Sequence, residues 1–183
     1  MNRGLARGVS APNALSRTKT IYMNSKTKEY YANLPKKYIA SGVFFLNVKN
    51  EVLVVKPTYK NHWEIPGGIV QQHESPLAAA KRKVREELGI RWTGERLLVM
   101  DHYSDARGDR LLFVYWGGVL SPSHAASITL PKKELEEHRF MPLRKTTALL
   151  DPALGKRIRW CYKALRNNTA YSLHKGTKTR NNC

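Results

Sequence analysis

GIVQQHESPLAAAKRKVREELGI, residues 68–90, contains a helix with both of its ends marked. Ser75 is a good N-cap, because its hydroxyl can accept a hydrogen bond from an amide that the first turn leaves unpaired. Pro76 suits the first helical position, where no amide hydrogen is needed. Ala-rich sequence carries the helix to Leu88, and Gly89 supplies the stop. Leu77, Ala80, Val84 and Leu88 recur at i, i+3, i+7 and i+11, which lays one apolar stripe along the helix. Lys83, Glu86 and Glu87 are spaced i, i+3 and i+4 and so share a different face. That charged face is where chemistry can sit.

The flanking sequence reads as strands and turns. Residues 39–46 (IASGVFFL) and 51–56 (EVLVVK) are β-branched and aromatic runs on either side of Asn47–Asn50, the pattern of a hairpin. Lys56 to His62 forms a polar loop containing Pro57, and Trp63 to Pro66 leads into Gly67 and Gly68. Further strands are expected at 96–102 and 110–119, joined through Asp105, Gly108 and Asp109. Residues 131–137 read as a loop or short turn, and His138 to Leu143 as a last short strand. A second helix is expected over 151–166, opening at Asp151–Pro152. There is no internal repeat, and no apolar run approaches the roughly 18 residues a membrane helix needs.

A chain of 183 residues suits one domain with a substantial core. Its net charge of +18 is placed unevenly. Residues 1–38 hold eight Lys/Arg and one acid, and residues 156–183 hold eight and none. The segment between them carries only +3. Basic ends of this kind attract nucleic acid or anionic membranes, or simply stay solvated. Trp160, Tyr162 and Tyr171 are the aromatics available near the C-terminal run, a thin basis for a nucleic-acid platform. The division expected is a basic, disordered extension over 1–37, a folded domain over 38–166 and a basic tail over 167–183. Met23 is an alternative start. No apolar segment of the secretory type follows the basic N-terminus. Cys161 and Cys183 form neither a metal cluster nor a disulfide framework, so a reducing cytoplasm is expected.

Residues 68–90 closely resemble the Nudix box, G-x5-E-x7-R-E-U-x-E-E-x-G-U with U aliphatic. Gly68, Glu74, Arg82, Glu86, Glu87, Gly89 and Ile90 hold box positions, and Trp63 to Gly67 (WEIPG) is similar to the usual lead-in. The resemblance spans about residues 38–165, where LEEHRFMPL looks like the late strand of the family. It implies an α/β (α+β) fold of the Nudix type, an α/β/α sandwich with a mixed β-sheet between helices. It also implies a Mg²⁺- or Mn²⁺-dependent hydrolase of a nucleoside diphosphate linked to another moiety. Carried over residue by residue, the metal ligands are Glu86, Glu87 and the Gly68 carbonyl, with Glu74 supporting or associated with the metal. Arg82 orients a glutamate by ion pairing. Homodimers are common in the family, though no residue pattern here identifies an interface.

The acid expected directly after the box Arg is Lys83. Three arrangements are open to it: bending away, pairing with Glu86 and Glu87 in place of one cation, or contacting a substrate phosphate. Loss of this acid moves the search for a general base outside the box, to Glu134, Glu136 and, first among them, Glu137. Tyr103 is a candidate substrate contact. Tyr59, Trp63, Phe113, Tyr115 and Trp116 are further aromatics, with Trp63 expected in the core. The alternative to hydrolysis is a Nudix-fold module that binds nucleotide or nucleic acid through its basic tails.

Overall fold

The computed structural model describes residues 24–179. Met23, Cys183 and the disorder expected over 1–22 fall outside them. Helix α1 (Ser25–Asn33) belongs to a unit separate from the body that starts at Lys36. It begins at Asn24, whose side chain accepts from the Thr27 amide at 2.9 Å. No residue of α1 is buried. This part of the extension is therefore helical rather than irregular, with a cap in place of packing.

In the body, β1 (Tyr38–Asn47) and β2 (Val52–Pro57) form the expected hairpin, with Leu46 opposite Val52. The Asn47 carboxamide accepts from the amides of Lys49 and Glu51, both at 2.9 Å, which fixes the turn. There follow β3 (Gly67–Ile69), α2 (Pro76–Leu88), β4 (Leu97–Asp105), β5 (Gly108–Leu120) and α3 (Pro122–Ala126). The chain continues with β6 (Leu135–Met141), α4 (Leu143–Leu149), α5 (Pro152–Arg166), β7 (Tyr171–His174) and β8 (Thr177–Lys178). The sheet order is β6-β2-β1-β5-β4-β7-β8, with β3 also on β1. β1 lies parallel to β5 and β4 parallel to β7, while the other pairs are antiparallel, so the sheet is mixed.

Successive strand residues face opposite sides, and β1 and β2 are apolar on both. Val43, Phe45, Leu53 and Val55 meet Ala80, Val84 and Leu88 of α2. Phe44, Leu46, Val52 and Val54 share the opposite layer with Ile158, Cys161 and Ala164 of α5. The result is the expected α/β/α sandwich. Trp63 lies in the α5 layer, as expected of a core residue. α2 has the predicted ends: Ser75 accepts from the Ala78 amide at 3.1 Å, and Gly89 adopts φ 69°.

Two expected boundaries move. Leu135 to Glu137, read as a loop, open β6, because the backbone there pairs with Lys56 and Pro57 of β2. The tail expected from residue 167 contributes β7 and β8 to the sheet. The reason lies 75 residues away: both carboxylate oxygens of buried Asp101 on β4 accept from the Gly176 amide at 3.1 Å. Asp101 also accepts from Arg157 of α5 at 3.2 Å. Among the described residues, no helix is long and apolar enough to cross a membrane.

Candidate active site

One edge of β1 runs along β5, and the other is divided. Leu46 near its end pairs with β2, whereas Ala40, Ser41 and Gly42 near its start pair with Ile69, Gly68 and Gly67 of β3. Beside this division lies a cavity of about 500 Å³, lined by residues of β1, β3, β5, α2 and α5 and of the loop after β2. Close approach of β1 and β3 depends on small residues. A Cβ on Gly67 would stand 2.7 Å from the Gly42 Cα, and one on Gly68 would stand 2.8 Å from the Lys83 Cε. Real carbon contacts do not come that close, so the Lys83 stem occupies the space a side chain at 68 would need.

The charged face of α2 points at this junction. The Lys83 ammonium lies 3.2 Å from a carboxylate oxygen of Glu86 and 3.2 Å from one of Glu87. The other Glu87 oxygen accepts from the Gly67 amide at 2.9 Å. Arg82 reaches in two directions. It donates to Glu74 at 2.9 and 2.8 Å and to the two Glu86 oxygens at 3.3 and 3.2 Å. A further bond to the Ile69 carbonyl at 3.2 Å ties it to β3.

The carboxylates differ because their surroundings differ. Burial pushes the Glu87 pKa up, and the Gly67 amide and Lys83 offset this only in part, while Glu64 nearby adds to it. For Glu86 burial also raises the pKa, but Lys83 and Arg82 outweigh it and the net direction is down. Hydrogen bonds from Arg82, then from the Gln71 amide, hold Glu74 at about 2. Burial works against the Lys83 ammonium, yet Glu87 and Glu86 overcome it and raise its pKa above the ordinary lysine value. An uncompensated charge as buried as Glu87 costs on the order of several kcal/mol, so a cationic neighbour is required there.

Of the residues singled out from sequence, Gly68, Arg82, Lys83 and Glu87 line the cavity. Glu86 and Glu74 sit beside it, joined through Arg82 and, for Glu86, also Lys83. Glu137 is not brought to it. It lies on β6, bonded to Arg139 at 2.9 and 3.0 Å. Tyr103 is also absent from the wall and lies under the Arg110 guanidinium, 4.7 Å from its ring centroid. Tyr59 and Phe113 do line it.

A match to the family model for the NUDIX domain covers residues 36–161. The chain belongs to the Nudix family. Its relatives include diphosphoinositol polyphosphate phosphohydrolase 2 of Rattus norvegicus, 33% identical over 91 residues, 49% of this chain and 51% of that protein. Diphosphoinositol polyphosphate phosphohydrolase 3-alpha of Mus musculus is 31% identical over 111 residues, 60% of this chain and 68% of that protein. The chain thus spans about half the length of the rat relative and two thirds of the mouse one. The crystal structure of the MutT protein from Methanosarcina mazei Go1 superposes with a TM-score of 0.59 at 21% identity, over 73% of this chain and 96% of that one.

Within this Nudix fold, Glu64, Arg157 and Ser41 are among the cavity residues that the sequence did not single out. Glu64 was visible only as part of the WEIPG lead-in. Its carboxylate accepts from Lys60 at 2.6 Å and lies 3.6 Å from His62. Arg157 arrives from α5, and no local pattern connects it to the box. Ser41 had no signal beyond its place in an apolar strand. It is 3% exposed, and its hydroxyl is a buried side-chain group without a hydrogen-bond partner among the described residues.

Proposed function

We propose that this cavity hydrolyses a phosphoanhydride, with a nucleoside diphosphate linked to another moiety as the substrate class. The observation that carries the reading is the convergence of Glu87, Arg82 and Lys83 from α2 with the Gly67–Gly68 backbone at one cavity, with Glu86 joined to them beside it. The named activities of the rat and mouse relatives support cleavage between phosphates. Tyr59 and Phe113 in the wall support a planar group at the far end of the substrate.

The donor set bears on the divalent ion that the family's box implies. Among the described residues, no three Asp, Glu, His or Cys side chains gather at one point. Mg²⁺ is commonly held by one or two carboxylates, with substrate phosphates and water completing its shell. Glu86, Glu87 and the Gly68 carbonyl fit one such ion. When bound, it would neutralise charge on the anhydride oxygens. Arg82 holds Glu86 and Glu74 in fixed orientations, and the Gly67 amide does the same for Glu87. Water forms the new bond to phosphorus as the bridging P–O bond breaks and a phosphate leaves. In this reading Glu64, a carboxylate in the wall outside the Arg82–Lys83 network, accepts the proton of the attacking water on the oxygen that Lys60 leaves free. The test is a screen of nucleoside triphosphates, ADP-ribose, dinucleoside polyphosphates and a diphosphoinositol polyphosphate with Mg²⁺ or Mn²⁺. Turnover at least about a hundredfold above the Glu86→Gln/Glu87→Gln variant is expected. No turnover above that control sinks the reading.

One observation favours a second reading, nucleic-acid binding. Residues 152–179 carry seven Lys/Arg and no acid, and all but Arg157 are exposed. Binding of single-stranded RNA that weakens steeply with salt and is lost on reversing Lys156, Arg159, Lys163 and Arg166 to Glu would support it. Binding unaffected by those changes would dismiss it.

A further inference from the structure

Lys83 stands where the Nudix box has an acid, and the structure shows what it does there. Its ammonium is bound to both Glu86 and Glu87, its side chain is 17% exposed, and its stem fills the space over Gly68. A solvated surface lysine would show none of these features. A carboxylate holding a divalent ion carries a net +1, and so does an ammonium. Substituting Lys for Glu at this position therefore keeps the charge of a loaded site while dispensing with one ion. Each Glu87 oxygen has a single donor, so each keeps a second lone pair for another ligand. The contacts of the Lys83 ammonium with the two glutamates are ion pairs at 3.2 Å, and an ammonium carries three hydrogens that can turn toward further acceptors. Lys83 also lines the cavity, where a phosphate oxygen could be such an acceptor. The same cavity wall contains the unpartnered Ser41 hydroxyl, on the residue of β1 paired with Gly68. That hydroxyl is itself closed off from solvent, so it adds an unpaired polar group beside the cavity without serving as a contact for a ligand.

We infer that Lys83 is the resident cation of this site. Its ammonium replaces one carboxylate-held divalent ion, leaves Glu86 and Glu87 to a single ion, and donates to a phosphate oxygen of the bound anhydride. The inference rests on the proposed hydrolase reading for the identity of that anion.

Two binding measurements on the full chain test it without reference to turnover. Mn²⁺ binding, counted by electron paramagnetic resonance, should give no more than one ion per chain for the natural protein and at least one more for Lys83→Glu. Lys83→Met keeps the apolar stem but not the charge. It should tighten Mn²⁺ binding without adding an ion. In metal-free buffer, inorganic pyrophosphate should bind the natural protein, and Lys83→Met should weaken it about tenfold or more, the scale of one lost hydrogen bond to a charged group. Two or more Mn²⁺ per natural chain, an unchanged count in a folded Lys83→Glu, or undiminished pyrophosphate binding by Lys83→Met would each overturn the inference. The two readings fail separately. If no anhydride is hydrolysed but this binding pattern holds, the hydrolase reading falls and the cation assignment stands. If hydrolysis is found but Lys83→Met binds pyrophosphate as the natural protein does, only the assignment falls.

Discussion

α2 and α5 cover opposite faces of one sheet and are built alike. Each follows a capping side chain, Ser75 or Asp151, and each has Pro at its first position. Each buries a stripe of small and aliphatic residues: Ala79, Ala80, Val84 and Leu88 on one, Gly155, Ile158, Cys161 and Ala164 on the other. They differ in how their charges are used. On α2, Arg82 and Lys83 are bonded to Glu86 and Glu87 one turn away, and the network faces a cavity. On α5, the exposed Lys156, Arg159, Lys163 and Arg166 have no acidic partner on their own helix. Lys163 instead lies over the Trp160 ring, 4.4 Å from its centroid. The buried charge of α5, Arg157, takes its partner from the sheet, as Asp101. Burial alone therefore does not distinguish a site from a scaffold. Both helices bring a buried charge to the cavity wall, but Arg157 is matched by the single carboxylate Asp101, whereas the α2 charges form a connected set of four.

The largest expected effect breaks that contrast on the α5 side. Asp101→Ala leaves Arg157 buried without its carboxylate and frees the Gly176 amide, which should cost about 3–5 kcal/mol. Urea unfolding measures it, and a loss below about 1 kcal/mol would mean that Arg157 needs no fixed partner. Next come the two apolar stripes. Leu88→Ala and Ile158→Ala should each cost about 2–5 kcal/mol, since both side chains are wholly buried. Similar losses would confirm that the helices are equivalent as packing elements, and a severalfold disparity would end that equivalence. The caps follow at about 1 kcal/mol each. Asp151→Ala should cost slightly more than Ser75→Ala, because Asp151 accepts from two amides and Ser75 from one. Thermal melts of the two variants give the order directly.

The smallest effect lies in the β4–β5 turn, outside both helices, and sets the background for acid sensitivity. Arg107, and after it Arg110, hold the Asp105 carboxyl at about 2 against an ordinary 3.8. A lowered folded pKa means that the contribution is present in full above about pH 4 and is lost as pH falls toward 2. Asp105→Asn should therefore lower the melting temperature at pH 6 and make little difference at pH 2. A gap that persists at pH 2 would assign the effect to something other than ionisation.

α2 was legible because its information is local: caps at both ends, a 3.6-residue period between them, and the charged face in register with its neighbours. The β1–β2 hairpin and α5 were legible for the same reason. β3 was not, since Gly-Gly-Ile has little strand propensity and pairs only because β1 accepts it. Nor was β7, a four-residue stretch with one buried apolar residue, Leu173, that pairs with β4 while Asp101 secures the following turn. The site divides in the same way. Gly68, Arg82, Lys83 and Glu87 were readable from spacing along a single segment. Glu64, Ser41 and Arg157 reach the cavity through strand pairing and helix docking, contacts that no local window contains. Glu137 shows the converse: near the motif's late strand in sequence, it is carried away by its pairing in β6.

The divided edge of β1 also has a consequence in time. The cavity wall draws on segments that stretch from Ala40 on β1, through Tyr59, Glu64 and Lys83, to Phe113 on β5 and Arg157 on α5. The β1–β5 pairing that supports it joins Ala40 to Leu112, and the Asp101–Gly176 contact closes a loop of similar length. Closing such loops costs chain entropy before their contacts return any stability, so long-range pairing slows folding. The signals for α2 lie within its own segment, but the cavity beside it is complete only when Leu154 and Arg157 of α5 join its wall. A growing chain would thus carry its complete charged helix well before it has a cavity, and would acquire the cavity only as its last third folds against the sheet.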